Sequence, residues 1–417
     1  MILSDIATIY DCPHSTAPDE GEGYALIRTP NVGKGRLILD DVHRVSKEVY
    51  DLRNKRAVPQ EDDIIFAREA PAGNAAIITK GQKVCLGQRT VLIKPNRSLV
   101  NAHYLVYYLL APQQQIRLLG YSHGATVGHV NIPDIANLPI ALPSILVQTR
   151  IASIIESYEN LIEVNNKRIK VLEQMAENLY KEWFVRFRFP GHETAEFYES
   201  RIGKLPSSFR VVKNKDVFEY YIGGGWGNDD EDTDFPVPAY VIRGTDFPRV
   251  KRGDISTCPL RYHKVSNYSA RELRANDIII EVSGGTSEQP VGRALLVTQD
   301  VIDRLDGRVI CASFCKQVRV NKAVITPLYY NYWMKFLYDT RIIDRFQLQS
   351  TGIINFQFEF FLNKGDVMLP PLDLMEQFDS TVMFIMDQIS TIAKENENLI
   401  KQRDLLLPRL MSGKLEV

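Results

Sequence analysis

Two stretches of the chain place apolar residues at alternating steps of four and three. The first runs Ile151, Ile155, Tyr158, Ile162, Asn165, Ile169, Leu172, Ala176, Leu179 and Trp183. The second runs Phe378, Val382, Ile385, Ile389, Ile392, Asn396, Leu399, Arg403, Leu406 and Leu410. This spacing predicts two long helices whose stripes pack against each other. LPSILVQ and LPPLDLM mark where they begin, the proline standing where no helix amide is needed. Elsewhere, β-branched runs such as IIF, AAII and TVLI alternate with turns, and one aromatic helix falls around 101–119. That pattern reads as a compact α+β or β-rich globule before each long helix.

Each stripe is interrupted by an asparagine, and the two do not align. In a parallel register Asn165 falls beside Ile392 and Asn396 beside Ile169, burying each amide against hydrocarbon. An unpaired amide in an apolar seam costs on the order of 1–3 kcal/mol. Run antiparallel about their common midpoint, the helices bring Asn165 to Asn396. Ile151 then meets Leu410, Ile169 meets Ile392, Leu172 meets Ile389 and Trp183 meets Phe378. Arg403 falls opposite Tyr158, whose ring can carry a guanidinium. The asparagine pair is thus expected to lock the register of an intramolecular antiparallel coiled coil.

The globules are written twice. GYALIRTPNV is echoed by PAYVIRGTDF, and EDDIIFAREAPAGNAAIITKG by ANDIIIEVSGGTSEQPVGRALLV. Tyr104 and Tyr107 correspond to Tyr329 and Tyr332, and GATVGHVNIPDIANLPIALP to STGIINFQFEFFLNKGDVMLP. Matches in one order point to duplication. The expected fold class is α+β: two similar globules separated by two long helices, related by an approximate two-fold axis. Helices of roughly 33 residues span about 50 Å. DNA presents successive major-groove faces about 34 Å apart, so such a ruler suits two half-sites with a fixed gap.

Composition narrows the class. A chain of 417 residues with 45% hydrophobic and 24% charged residues is ordinary for globular domains. No apolar run reaches the roughly 20 residues that span a bilayer. MILSDIATIYDCPHS shows no signal peptide, and five scattered cysteines fit a reducing cytoplasm. A net charge of -1 does not mark a strong non-specific nucleic-acid binder, though charge can be segregated onto one face.

The helices, the ending KQRDLLLPRLMSGKLEV, the LPIALP and VMLPPL boundaries and the GGGWG turn resemble the specificity subunit of type I restriction-modification systems. The resemblance covers essentially the whole chain. It implies a target recognition domain at 1–145, a spacer helix at 146–190, a second target recognition domain at 191–371 and a second spacer helix at 372–417. It further implies that the subunit catalyses nothing itself. Two adenine-methyltransferase modification subunits would bring S-adenosylmethionine, and motor-nuclease subunits would bring ATP and Mg.

The residues offer little independent chemistry. There is no GxxxxGK[ST], no NPPY-like or DPPY-like tetrapeptide and no HExxH. Cys311 and Cys315 lack a second Cys/His pair and read as strand cysteines rather than a zinc site. Asp277 and Glu281 flank a hydrophobic strand and read as strand-edge carboxylates before a nuclease pair. DNA contacts are therefore sought at matched positions of the globules. Arg28 and Thr29 open one basic turn, with Lys34 and Arg36; Arg243 and Thr245 open the other, with Arg249, Lys251 and Arg252. Arginine can read guanine, while lysine more often holds phosphate. Thr126 and Thr351 stand in matched small-residue loops, and Arg68 and Arg293 in matched hairpin regions. The acidic GGGWGNDDEDTDFP segment reads as a mobile loop that repels phosphate. The aromatics of 182–200 read as packing for the helix end. A DNA-modifying enzyme and a coiled-coil protein that never touches DNA are the competing readings.

Overall fold

The computed structural model describes residues 1–120, 129–286, 289–350 and 353–417. The chain divides into two compact units, Met1–Glu163 with Glu397–Val417, and Val164–Asn396. The two long helices, Ile145–Tyr180 and Leu372–Met411, contribute a segment to each unit. The second begins directly after Pro371 and the first after Ser144, one residue beyond Pro143.

The helices pair antiparallel, as the stripes require. In the second unit Asn165 Nδ2 donates to Asn396 Oδ1 at 3.0 Å, while Trp183 and Phe378 approach with ring centroids 6.1 Å apart. Chain numbers rise along one helix as they fall along the other. Ile169, Ala176, Val382, Ile385, Ile389 and Ile392 join one buried core there. In the first unit Ile151, Ile155 and Leu410 share another core, with Leu406 packed on it. The asparagines sit in a wider network than a pair. Asn165 Nδ2 also donates to Glu395 Oε2 at 3.1 Å, and Asn396 Nδ2 donates to Asn166 Oδ1 at 3.0 Å. Arg403 departs from expectation. Its Nη1 lies 2.6 Å from Glu159 Oε1, and among the described residues it makes no cation–π contact with Tyr158. A carboxylate in a partly buried site holds a guanidinium more strongly than a ring face does.

The seam can be tested by a pair of substitutions. Asn165→Leu alone strands the buried Asn396 Oδ1 and is expected to cost about 1–3 kcal/mol in chemical denaturation. Adding Asn396→Leu should restore most of that, because Glu395 and Asn166 are exposed and water can replace their bonds. Equal losses in the single and double variants would contradict the pairing.

Duplication is visible as topology. The first unit has a three-stranded sheet in which Tyr24–Ile27 pairs antiparallel with Arg44–Val45 and parallel with Val84–Leu86. In the second unit Val237–Ile242 pairs antiparallel with Leu260–His263 and parallel with Val309–Cys311. A second sheet repeats too. Ala7–Asp11, Thr90–Pro95, Ile64–Ala67 and Ala75–Ile77 lie in the order of Phe218–Gly223, Cys315–Val320, Ile278–Glu281 and Ala294–Leu296. The extra strand Gly35–Arg36 extends only the first copy of that sheet.

The aromatic helix is repeated as Ala102–Leu110 and Pro327–Asp339. Asn101 and Thr326 cap the two copies, accepting from the amides of Tyr104 and Tyr329. The hydroxyls of those tyrosines donate to Ala141 O at 3.0 Å and Met368 O at 2.7 Å, just before each long helix begins. The first long helix ends in a π turn, Lys181–Val185, that no periodicity announced. It carries Trp183 and buried Phe184 into a cluster with Tyr180, Tyr329 and Phe378. Phe187 and Phe189 pack on Phe209, so most of the 182–200 aromatics serve as packing.

Asp379, at the start of the second long helix, is half-buried beside the cap of Pro327–Asp339. Burial lifts its carboxyl to about 7, although contacts from Thr326 and the Tyr329 amide pull the other way. A carboxyl whose folded value exceeds its unfolded one favours the folded state most below the unfolded value, and that advantage is lost as pH rises through the folded one. Asp379→Asn is therefore expected to stabilise the chain at pH 8 by about 1–2 kcal/mol, after allowance for solvent screening, and hardly at pH 4. Denaturation of both proteins at the two pH values checks this; equal differences at both would contradict it.

Candidate DNA-recognition surfaces

The matched basic turns follow the first strand of each three-stranded sheet. Arg28 precedes the 3-10 turn Thr29–Asn31, and Arg243 precedes Gly244–Asp246. The amide of Arg28 donates to Asn31 Oδ1 at 3.1 Å and that of Arg243 to Asp246 Oδ2 at 2.9 Å. One side chain thus ties the same backbone corner in both copies.

Most cations proposed for DNA are engaged inside their own unit. Arg36 pairs with Glu163 and Asn160 on the first long helix. Lys251 and Arg252 reach Glu173 and Glu177 on the same helix, at 3.7, 3.5 and 3.1 Å. Each basic turn thereby braces its globule against a helix. Arg243 grips Asp246 through Nε and Nη2, both at 2.9 Å, and donates to Thr257 O at 2.7 Å. Those bonds raise the Arg243 guanidinium and, against the effect of burial, hold the Asp246 carboxyl below its usual range.

Arg68 is turned inward onto Val130 O, Asp11 and His129. Arg293 clamps Glu281 at 2.8 and 2.7 Å and reaches Gly244 O at 3.0 Å. A side chain on Gly244 would place a Cβ 2.3 Å from the Glu281 carboxylate, which explains glycine there. Arg68 and Arg293 lie in matched hairpins, as expected, but on different arms of them. Arg68 follows strand Ile64–Ala67, whereas Arg293 precedes Ala294–Leu296, on the other arm of the repeated hairpin. Thr29 is buried. Lys34, Thr245 and Arg249 are exposed, Arg249 with a loose 3.7 Å approach to Asp254. The Nε of Arg28 is buried without a hydrogen-bond partner among the described residues. Thr126 and Thr351 lie outside the described residues.

The other sequence candidates are structural. Asp277 is buried and bound by Arg319 at 2.7 and 2.8 Å and by Gln317 Nε2 at 2.7 Å. With Glu281 taken by Arg293, neither carboxylate is placed for metal or water. Cys311 and Cys315 are fully buried in adjoining strands, and burial pushes the Cys311 thiol up to about 12. Among the described residues no group of three His, Cys, Asp or Glu side chains could hold a metal ion, and no helix is long and apolar enough to cross a membrane.

The acidic GGGWG segment is a braced stretch rather than a free loop. The amides of Gly224 and Gly225 donate to Cys315 O and Cys311 O, both at 2.9 Å, and Trp226 lies under Arg261 at 4.8 Å. Asp229 pairs with that arginine, and Asn228 exchanges backbone bonds with Tyr262. A Cβ on Gly224 would stand 2.1 Å from Ala312 O, so the run of glycines permits this close approach.

Comparison with known proteins places this architecture. Residues 1–174 match the model of the type I restriction modification DNA specificity domain. The type I restriction enzyme MjaVIII specificity subunit of Methanocaldococcus jannaschii is 23% identical over 89% of this chain and 84% of its own length. The putative MjaX specificity subunit of the same organism is 24% identical over 95% of this chain and 88% of its own. A crystal structure of the S subunit from M. genitalium shares the fold with a TM-score of 0.51 at 12% identity, over 98% of this chain and 95% of that one. The duplicated sheets, the antiparallel helices and these relatives agree: over most of its length the chain is similar to type I restriction-modification specificity subunits.

Proposed function

We propose that this chain is the DNA sequence-recognition subunit of a type I restriction-modification complex. Each head reads one half of a two-part site, and the long helices set the gap and dock the modification and motor-nuclease subunits. The chain carries no catalytic site of its own. S-adenosylmethionine, ATP and Mg are held by the partners, and the complex works in the cytoplasm. The observation that carries this reading is the repetition of one topology, sheet for sheet and cap for cap, in two units. A protein that reads two different half-sites needs one scaffold twice, with different side chains on it. The relatives named as specificity subunits support the same reading.

Lys34, Thr245 and Arg249 hold phosphate in this scheme, since they are exposed beside the matched corners. Arg36, Lys251 and Arg252 act indirectly by fixing head to helix. The test is binding of the full chain to a randomised duplex pool, with and without its methyltransferase partner, across a salt series. A split motif with a fixed gap and a steep fall in affinity with salt is expected. Equal affinity for every sequence, or none at low salt, would overturn the reading in favour of a coiled-coil interaction protein. Methylation of DNA by the chain alone with S-adenosylmethionine would overturn the non-catalytic assignment.

A further inference from the structure

In both heads the parallel strand pair ends in a turn anchored by the same two backbone bonds. Gly87 N donates to Ile27 O at 2.8 Å, and Arg68 N to Arg89 O at 2.9 Å. In the second head Ala312 N donates to Ile242 O and Val282 N to Phe314 O, both at 2.9 Å. Strand registers agree, with Thr90 opposite Ala67 and Cys315 opposite Glu281. Arg89 and Phe314 therefore hold one structural position, immediately before the strand that crosses back through the sheet.

Both side chains project into solvent. The Arg89 side chain is 60% exposed, with one ion pair to Glu69 at 3.0 Å, and Phe314 is 66% exposed. The backbone beneath them is held firmly. In the second head Cys315 N donates to Ala312 O at 2.9 Å, and the glycine run leans on the same carbonyls. In the first, the Thr90 hydroxyl donates to Gly87 O at 3.0 Å, and Arg89 itself is held at φ 65°, where non-glycine residues are uncommon. The turn also lies beside the corner that carries Arg243 and exposed Thr245, through the bond to Ile242.

A phenylalanine at the apex of a rigid turn leaves apolar surface in water and contributes little packing to its own fold. Among the described residues its matched arginine likewise has one ion pair, with Glu69, and its own side chain stays mostly in water. A fixed backbone presenting one exchangeable side chain is what reading a base requires. Arginine bonds the guanine edge, whereas phenylalanine contacts only apolar base surface, such as the thymine methyl or a partly opened step. We infer that residues 89 and 314 are the equivalent base-reading positions of the two heads, Arg89 reading polar edges in one half-site and Phe314 apolar surface in the other. This rests on the DNA-reading function proposed above.

The experiment uses the full chain with its modification partner and a randomised duplex pool. The wild type is expected to select a split motif. Phe314→Ala should leave one half unchanged and lose preference at a single step of the other, with affinity for the wild-type site falling roughly tenfold. Phe314→Leu should keep part of that preference. Arg89→Ala should blur one step in the opposite half. All three variants should melt like the wild type, since neither side chain is packed. A wild type that selects no motif overturns the proposed function and this inference with it. A wild type that selects a motif, beside a Phe314→Ala variant that selects the same motif with the same affinity, overturns the inference alone.

Discussion

Replacing Phe378 by alanine is expected to cost the second unit about 3–5 kcal/mol. The ring is completely buried where the second long helix begins. Its centroid lies 5.2 Å from that of Phe184, 5.5 Å from Tyr332, 6.0 Å from Tyr180 and 6.1 Å from Trp183. Those neighbours come from the end of the first long helix and from the aromatic helix of the globule, so one ring joins three elements. Alanine leaves a void that large, stiff rings cannot close by small shifts. The variant should melt roughly 10 °C lower, at 2–4 °C per kcal/mol for a unit of this size. Hydrogen exchange should accelerate first at residues 176–185 and 372–385. A loss below about 1 kcal/mol would mean that the cluster refills the space, and the packing described would be wrong in detail.

Asp277→Ala should be comparably damaging, for an electrostatic reason. The carboxylate is 1% exposed and receives two bonds from Arg319, one from Gln317 and one from the Arg274 amide. Removing it leaves a guanidinium half-inside the sheet with no countercharge, a change that typically costs about 3–5 kcal/mol. Replacing both partners, Asp277→Leu with Arg319→Met, should recover most of that, because an apolar pair carries no desolvation cost. Chemical denaturation of the single and double variants tests this. If both lose the same amount, the charge pair is not the cause, and Asp277 acts through the Arg274 turn instead.

Several local features were legible in the chain. The seam was readable because its apolar period is long and only a few of its positions are polar. A pair of asparagines that meets in one direction and not the other selects the antiparallel arrangement without coordinates. The repeats survived as short runs, YALIR and YVIR or IIF and IIIE, since buried strands tolerate few residue types. Capping residues before the aromatic helices differ, Asn101 in one copy and Thr326 in the other, yet both supply the side-chain oxygen the helix start requires. The π turn at Lys181–Val185 escaped because one inserted residue in a helix leaves no pattern. Arg68 and Arg293 fall on different arms of their matched hairpins because insertions shift the offset there, and similarity by eye cannot say on which arm the shift occurs.

The basic residues show the boundary most clearly. Charge and spacing alone made Arg36, Arg68, Arg243, Lys251, Arg252 and Arg293 candidates for DNA. The fold gives each of them a carboxylate or a carbonyl of its own unit, some of these partners far away in the chain, as Glu163 is from Arg36 and Glu173 from Arg252. Two positions without a matching residue type, Arg89 and Phe314, turned out to share one place in the sheet.

By itself, the amino-acid order determined the two helices, their direction and register, and the doubling of the globule. Those features depend on periodic burial, which is a property of near neighbours along the chain. Tertiary structure alone decided which charges remain exposed and which side chains occupy equivalent sites. An ion pair forms wherever folding brings opposite charges together, and no local spacing encodes that distance.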